Sequence, residues 1–201
     1  MKKVAIALIT VFIMLGCGKV REEDSENYQV RNGLGYIIGE EKPYTGKIFI
    51  KGEERVGYRT IEYKQQVLEL KNGLLDGTNI FYSSNGKVLS KTKVKNNMAN
   101  GIKKTYHRNG KIATESYYID GKMEGITKVY YPDGKIRCKM KMENNKITGI
   151  ANTYYENGKL EKEENFVNSN LDGVSKYYNE NGKLSHEIIW GNGKEIEKNY
   201  Y

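Results

Sequence analysis

The sequence predicts an all-β protein, a single-layer twisted antiparallel β-ribbon built from hairpin repeats of 24 residues, and three observations predict it. Gly77, Gly101, Gly125, Gly149 and Gly173 stand 24 residues apart without an insertion or deletion, and Gly86, Gly110, Gly134, Gly158 and Gly182 keep the same interval. Tyr82, Tyr106, Tyr130, Tyr154 and Tyr178 follow the same ruler. The composition is the third observation: of 201 residues 17 are Tyr and 2 are Pro, with 38% hydrophobic and 29% charged. A fixed period of this length marks a stacked array whose units bury apolar surface only against their neighbours. A chain this polar fills no thick core, but tyrosine rings can pack in a thin sheet and keep their hydroxyls wet.

The first 16 residues are a different material. Lys2 and Lys3 precede the apolar run Val4 to Leu15, which is too short to span a bilayer comfortably and reads as an export signal. The break at Gly16-Cys17 resembles the lipobox of bacterial lipoproteins, with Met14 where that motif usually has Leu. The resemblance implies that Cys17 carries lipid and that the protein is exported and anchored to a membrane of the cell envelope. Removing the leader takes away two lysines and lowers the formal charge from +8 to +6. Residues 17–42 read as the lipidated Cys and a tether, because Lys19 to Glu26 has no large apolar residue except Val20. Residues 43–76 read as irregular N-terminal hairpins beginning at Pro43-Tyr44-Thr45-Gly46. Residues 77–201 hold five repeats, with Gly191, Gly193, Lys194 and Lys198 blunting the last edge.

One unit serves for all. Ile126 to Tyr131 is rich in β-branched and aromatic residues and reads as a strand. Pro132-Asp133-Gly134 is a three-residue hairpin loop with Gly in the left-handed position, and the return strand runs from about Lys135 to Glu143. Asn144-Asn145 turns into the next unit. This loop predicts Tyr130 opposite Ile136 and Lys128 opposite Cys138. Tyr82 with Val88, Tyr106 with Ile112, Tyr154 with Leu160 and Tyr178 with Leu184 repeat the first pairing. On the same face the register places Val94, Tyr118, Met142, Phe166 and Trp190, together with Ile102, Ile126, Ile150 and Val174. Lys91, Glu115, Lys139, Glu163 and Glu187 take the opposite, wet face. Five units at two strands each, about 4.8 Å per strand, give a strip about 50 Å long.

A Gly opening, Tyr before an Asn-Gly-Lys turn, and an Asx turn before the next Gly together resemble the bacterial variant of the MORN repeat. The resemblance covers residues 43 to 197. Proteins built this way are widely labelled as the YwqK-like antitoxin family, so the resemblance implies the fold and, more loosely, an antitoxin or immunity role. It implies no catalytic residues.

The candidate surfaces follow from the columns. The Tyr82-type column faces aliphatic partners and reads as core, whereas Tyr131 and Tyr155 point to the other face beside Lys135 and Lys159 and are the better ligand candidates. Lys87, Lys111, Lys135, Lys159 and Lys183 line one edge about 10 Å apart, beyond the Debye length of about 8 Å at physiological salt. That row fits an acidic polysaccharide or an anionic lipid surface. Cys138 reads as a free thiol, and His107 and His186 stand at different repeat positions, so no metal or other cofactor is expected. No nucleophile elbow or phosphate loop is present, and the glycines are read as turns, so the chain is not expected to be an enzyme. The expected function is a non-catalytic envelope lipoprotein that binds another protein through its open face or by strand addition at a ribbon end. Glycan or anionic-surface binding is the alternative, an antitoxin role the third; nucleic acid is not expected for an exported chain.

Overall fold

The computed structural model describes residues 21–201. The leader over residues 1–16, the lipid site Cys17 and the first tether residues lie outside the described residues. The N-terminal strands are β1 Glu22–Asp24, β2 Tyr28–Arg31, β3 Leu34–Ile37, β4 Gly46–Val56 and β5 Arg59–Lys71. The repeats follow as β6 Leu74–Leu75, β7 Gly77–Tyr82, β8 Val88–Lys95, β9 Met98–Tyr106, β10 Ile112–Ile119, β11 Lys122–Tyr130 and β12 Ile136–Glu143. They continue as β13 Lys146–Tyr154, β14 Leu160–Val167, β15 Asn170–Leu171, β16 Gly173–Tyr178, β17 Leu184–Gly191 and β18 Lys194–Tyr200. No α-helix occurs among the described residues.

One sheet runs in the order β1, β4, β5, β7 to β14, β16, β17, β18, while β2 and β3 pair only with each other. All neighbours are antiparallel except β1, which lies parallel to β4. β6 pairs with β5 and β15 with β14, so β6–β7 and β15–β16 are each one outgoing strand interrupted at an Asp.

Two turn chemistries alternate along the ribbon. At the Asn-Gly-Lys turns Gly86, Gly110, Gly134, Gly158 and Gly182 take φ of +79° to +96°, the left-handed region a side chain resists. At the opposite edge both central residues have positive φ, as in Asn144 (+49°) and Asn145 (+65°), the mirror-image turn that suits the strand twist.

The register departs from expectation by one residue. Tyr130 pairs with Ile136 as predicted, but Cys138 pairs with Val129 rather than Lys128, because Arg137 is an extra residue forming a bulge. The same shift recurs beside Tyr82, Tyr106, Tyr154 and Tyr178. A one-residue slip moves every side chain beyond it to the other face. Ile102, Ile126, Ile150 and Val174 therefore leave the face of Met142: Ile126 lies opposite Lys141, whereas Met142 lies opposite Gly125.

The packed face buries Val94, Met142, Ala151 and Ile188 with the small polar Asn79, Ser116, Thr127 and Ser175. Here the first glycine column also proves not to mark turns. Gly77, Gly101, Gly125, Gly149 and Gly173 lie within strands at positive φ, each directly across from Val94, Tyr118, Met142, Phe166 or Trp190. At Gly125 and Gly149 nothing lies within 4 Å of the place a Cβ would occupy, so the positive φ rather than crowding calls for glycine there. Toward the preceding hairpin the same glycines sit in bulges, as where Glu115 pairs with Lys128 but Tyr117 with Glu124.

Residues read as tether form a cap instead. Asn32 (φ +50°) and Gly33 (φ +77°) turn β2 into β3, and Ile37 joins Tyr44, Ile48 and Leu70 in a buried cluster flanked by Tyr28, Leu68 and Leu75. Tyr28 and Ile37 supply apolar surface that leaves the solvent, which a charged segment alone would not. Beyond the cap the β4–β5 hairpin extends past its neighbours to a Gly57-Tyr58 tip, with Tyr58 fully exposed.

At the Asx edge each turn is tied to the strand start one repeat earlier. Asn97 N donates to Leu75 O at 3.0 Å while Asn97 Oδ1 accepts from Leu75 N at 2.7 Å. Asn145 does the same with Met123, and Ser169 with Ile147 through its hydroxyl. Gly121 and Gly193 make only the first bond, to Ala99 and Leu171, both at 2.8 Å. Gly121 has nothing within 4 Å of the place a Cβ would occupy, and Asn tolerates its conformation. Gly121→Asn is thus expected to add the missing bond to Ala99 N, stabilise by about 1 kcal/mol and raise Tm by about 2–4 °C in a thermal melt. An unchanged or lowered Tm would show that the side-chain bond contributes nothing.

Candidate functional site

The Asn-Gly-Lys edge gathers most of the residues singled out in the sequence. Inside each turn an Asx side chain accepts from the lysine backbone: Asn109 Oδ1 from Lys111 N at 3.0 Å, Asp133 Oδ1 from Lys135 N at 2.9 Å. Each lysine then crosses to the next turn. Lys87 Nζ donates to Arg108 O at 2.9 Å, Lys111 Nζ to Asp133 O at 2.6 Å, Lys135 Nζ to Glu156 O at 2.7 Å and Lys159 Nζ to Asn181 O at 3.0 Å. Lys183 stands in the last turn of the row and is exposed. The spacing that suits a polyanion is thus also the spacing of a ladder between turns.

Tyr131 and Tyr155 serve the same purpose. Tyr131 Oη donates to Tyr154 O, and Tyr155 Oη to Tyr178 O, each at 2.7 Å. His107 occupies the equivalent place, with Nε2 2.9 Å from Tyr130 O. Both tyrosine hydroxyls are held above their ordinary pKa, first by desolvation and then by nearby carboxylates such as Glu161. The two ligand candidates are half-buried links between hairpins with their polar ends already bonded, and Tyr131 lies with Val129, Cys138 and Met140 on the packed side instead of the wet face expected of it. Cys138 is a half-buried free thiol whose sulfur accepts a hydrogen bond from Thr153 Oγ1 at 3.8 Å. Among the described residues no group of three His, Cys, Asp or Glu side chains is placed to hold a metal.

The face opposite the packed one is organised in two parallel rows. Following the register from strand to strand, the first row reads Lys91, Lys104, Glu115, Lys128, Lys139, Asn152, Glu163, Lys176 and Glu187. Lys104 Nζ lies 3.0 Å from Glu115 and Lys128 Nζ 3.8 Å from it, and Glu115 raises the Lys104 pKa through that hydrogen bond. Lys176 lies 3.9 Å from Glu187. Lys91 and Lys139 have no ion pair among the described residues. These contacts are at the surface, so each contributes well under about 1 kcal/mol.

The second row is apolar and exposed: Ile102 (45%), Tyr117 (44%), Ile126 (50%), Ile150 (55%) and Val174 (45%), with Ile119 and Val167 at its margin. One β-branched side chain per repeat stands half in water beside the charged row. Sequence reasoning counted Ile102, Ile126, Ile150 and Val174 into the packed face. Charge does not reveal the register: the expected one sets Lys103 against Glu115 where the observed one sets Lys104 there, and the observed one also sets Lys128 against Lys139.

A comparison with protein-family models matches the MORN repeat variant at residues 75–96, 99–120, 123–144, 147–168 and 171–192, which together take up more than half of the chain. Each matched segment runs from the start of an outgoing strand to the following Asx turn. No curated protein matches the chain.

The ladder reading of Tyr131 has a direct check. Tyr131→Phe keeps the ring and leaves Tyr154 O without its donor, so denaturant unfolding is expected to show a loss of about 1 kcal/mol. Stability equal to that of the unaltered chain would free the hydroxyl for a ligand.

Proposed function

The chain belongs to the MORN repeat variant family, and on that premise we propose that it is a non-catalytic, lipid-anchored protein of the cell envelope whose ribbon binds another protein. MORN repeats are commonly protein or membrane interaction modules, and the family is typically non-enzymatic. The observation that carries the reading is the exposed row of Ile102, Tyr117, Ile126, Ile150 and Val174. Apolar side chains half in water, clustered at Ile102, Tyr117 and Ile126 and recurring at Ile150 and Val174 beyond Lys141 and Asn165, are costly to leave exposed and mark a place where a partner sits. The Lys-Asn edge supports it from the other side, because four of its five lysines bond to the neighbouring turn and are less available to a polyanion. Export and anchoring are supported by the apolar run ending at Cys17. An immunity role is the special case in which the partner is a toxin.

A fragment for the test should begin at residue 18, since β1 covers the β4 edge and Arg21 bonds to both Glu23 and Glu40. Residues 18–201 contain every described strand. Incubated with envelope extract at low and high salt, this fragment is expected to retain a discrete protein at both, and to lose it with Ile126→Ser and Ile150→Ser together. Recovery of wall polymer or lipid alone, released by salt, would overturn the protein-binding reading. In the full chain Cys17→Ser is expected to abolish metabolic labelling with a fatty acid; retained labelling would overturn the anchor.

A further inference from the structure

We propose that the charged face of the second and third repeats seats a short amphipathic α-helix with an acidic flank, contributed by the partner protein; the proposal rests on the protein-binding reading above. The exposed apolar side chains are densest here, where Ile102 pairs directly with Tyr117 and Ile126 stands on the next strand, with Ile119 beside them. Ile150 follows one repeat on, beyond Lys141.

The spacing selects the occupant. Neighbouring strands are about 4.8 Å apart, so apolar groups on successive strands recur every 5 Å or so across the ribbon. An α-helix with apolar residues alternately three and four positions apart presents one about every 5.3 Å along its axis. Such a helix, laid across the strands, meets Ile102, Tyr117 and Ile126 with three successive apolar side chains and Ile150 with a later one. An extended peptide laid the same way presents a side chain on one face about every 6.6 Å and falls out of step within a few strands.

Charge selects its flank. Lys91, Lys104, Lys128 and Lys139 run alongside with Glu115 as their only acid, so the row is basic on this stretch. Lys91 and Lys139, without ion pairs among the described residues, are placed to meet carboxylates. A second copy of this chain brings the same basic row and is repelled. Twist limits the length: at about 20–25° per strand, a straight helix stays over the row for about two repeats, about 20 Å or about 13 residues.

The test uses a fluorescein-labelled designed peptide of about 18 residues with Leu at the alternating three- and four-residue positions and Glu along one flank. Its anisotropy is measured against residues 18–201. Saturable binding is expected, with helical circular dichroism appearing in the complex. Ile102→Ser with Ile126→Ser, exposed positions whose thermal melt checks the fold, is expected to weaken it by about tenfold or more. Lys128→Glu with Lys139→Glu should likewise weaken the Glu-flanked peptide and admit one with Lys flanks, an exchange that mere loss of stability does not produce. Equal binding of a scrambled peptide, indifference to these substitutions, or binding of anionic phosphatidylglycerol vesicles in place of the peptide overturns the helix seat. A protein retained from extract but insensitive to Ile102→Ser with Ile126→Ser also overturns it and leaves protein binding standing at another surface. Failure to retain any protein removes the reading beneath both.

Discussion

A sheet one layer thick has no second layer to hold its hairpins in register, so the bonds between hairpins must come from the sheet itself, and here they concentrate at its two edges. At one edge Lys87, Lys111, Lys135 and Lys159 reach into the next turn, and Tyr131 and Tyr155 reach the backbone of the next hairpin. At the other, Asn97, Asn145 and Ser169 grip the strand start one repeat before. Each bond is modest, about 1 kcal/mol net. Because every hairpin carries them on both sides, nearest-neighbour coupling accumulates along the array. The strict 24-residue period follows from this constraint: an insertion in one repeat would move its turn out of reach of the next.

The bulge after each Asn-Gly-Lys turn decides what the ribbon shows to water. It turns Ile126 and its equivalents outward and leaves the packed face to Thr127, Met142 and small side chains. The architecture, both turn chemistries and the Tyr130–Ile136 pairing were legible in the sequence, because glycine and asparagine at fixed positions state their backbone conformation directly. The extra residue at Arg137 was not, since nothing in its own type demands a bulge. Cross-strand charges do not reveal it either, since the register brings together both Lys104 with Glu115 and Lys128 with Lys139. Parity is the weakest inference from a strand pattern. One uncounted residue exchanges the candidate surface for the core.

The N-terminal cap illustrates a different limit. The charged residues from Lys19 to Glu26 suggest a solvated tether, and β1 nonetheless pairs with β4 because ionic contacts hold it there: Lys51 Nζ lies 2.9 Å from Asp24, and Arg21 bridges Glu23 and Glu40. A terminal repeat has one face with no neighbour, and covering β4 with β1 removes part of an edge open to strand addition. The Asn32-Gly33 turn between Tyr28 and Ile37 was the readable sign of this cap. Its absence from the 24-residue ruler made it easy to pass over.

Scaffold and recognition separate on periodicity. The turn lysines keep the period, and four of them bond to the neighbouring turn. The charged face keeps its apolar column but varies the row beside it, from Lys91 and Lys104 through Lys128 and Lys139 to Asn152, Glu163 and Lys176. A partner sliding by one repeat would find its apolar contacts intact and its charges mismatched. Like-charge juxtaposition costs more than a surface ion pair contributes, so a variable row excludes wrong registers more effectively than it strengthens the right one. The array thus offers attachment through what repeats and registers its partner through what does not.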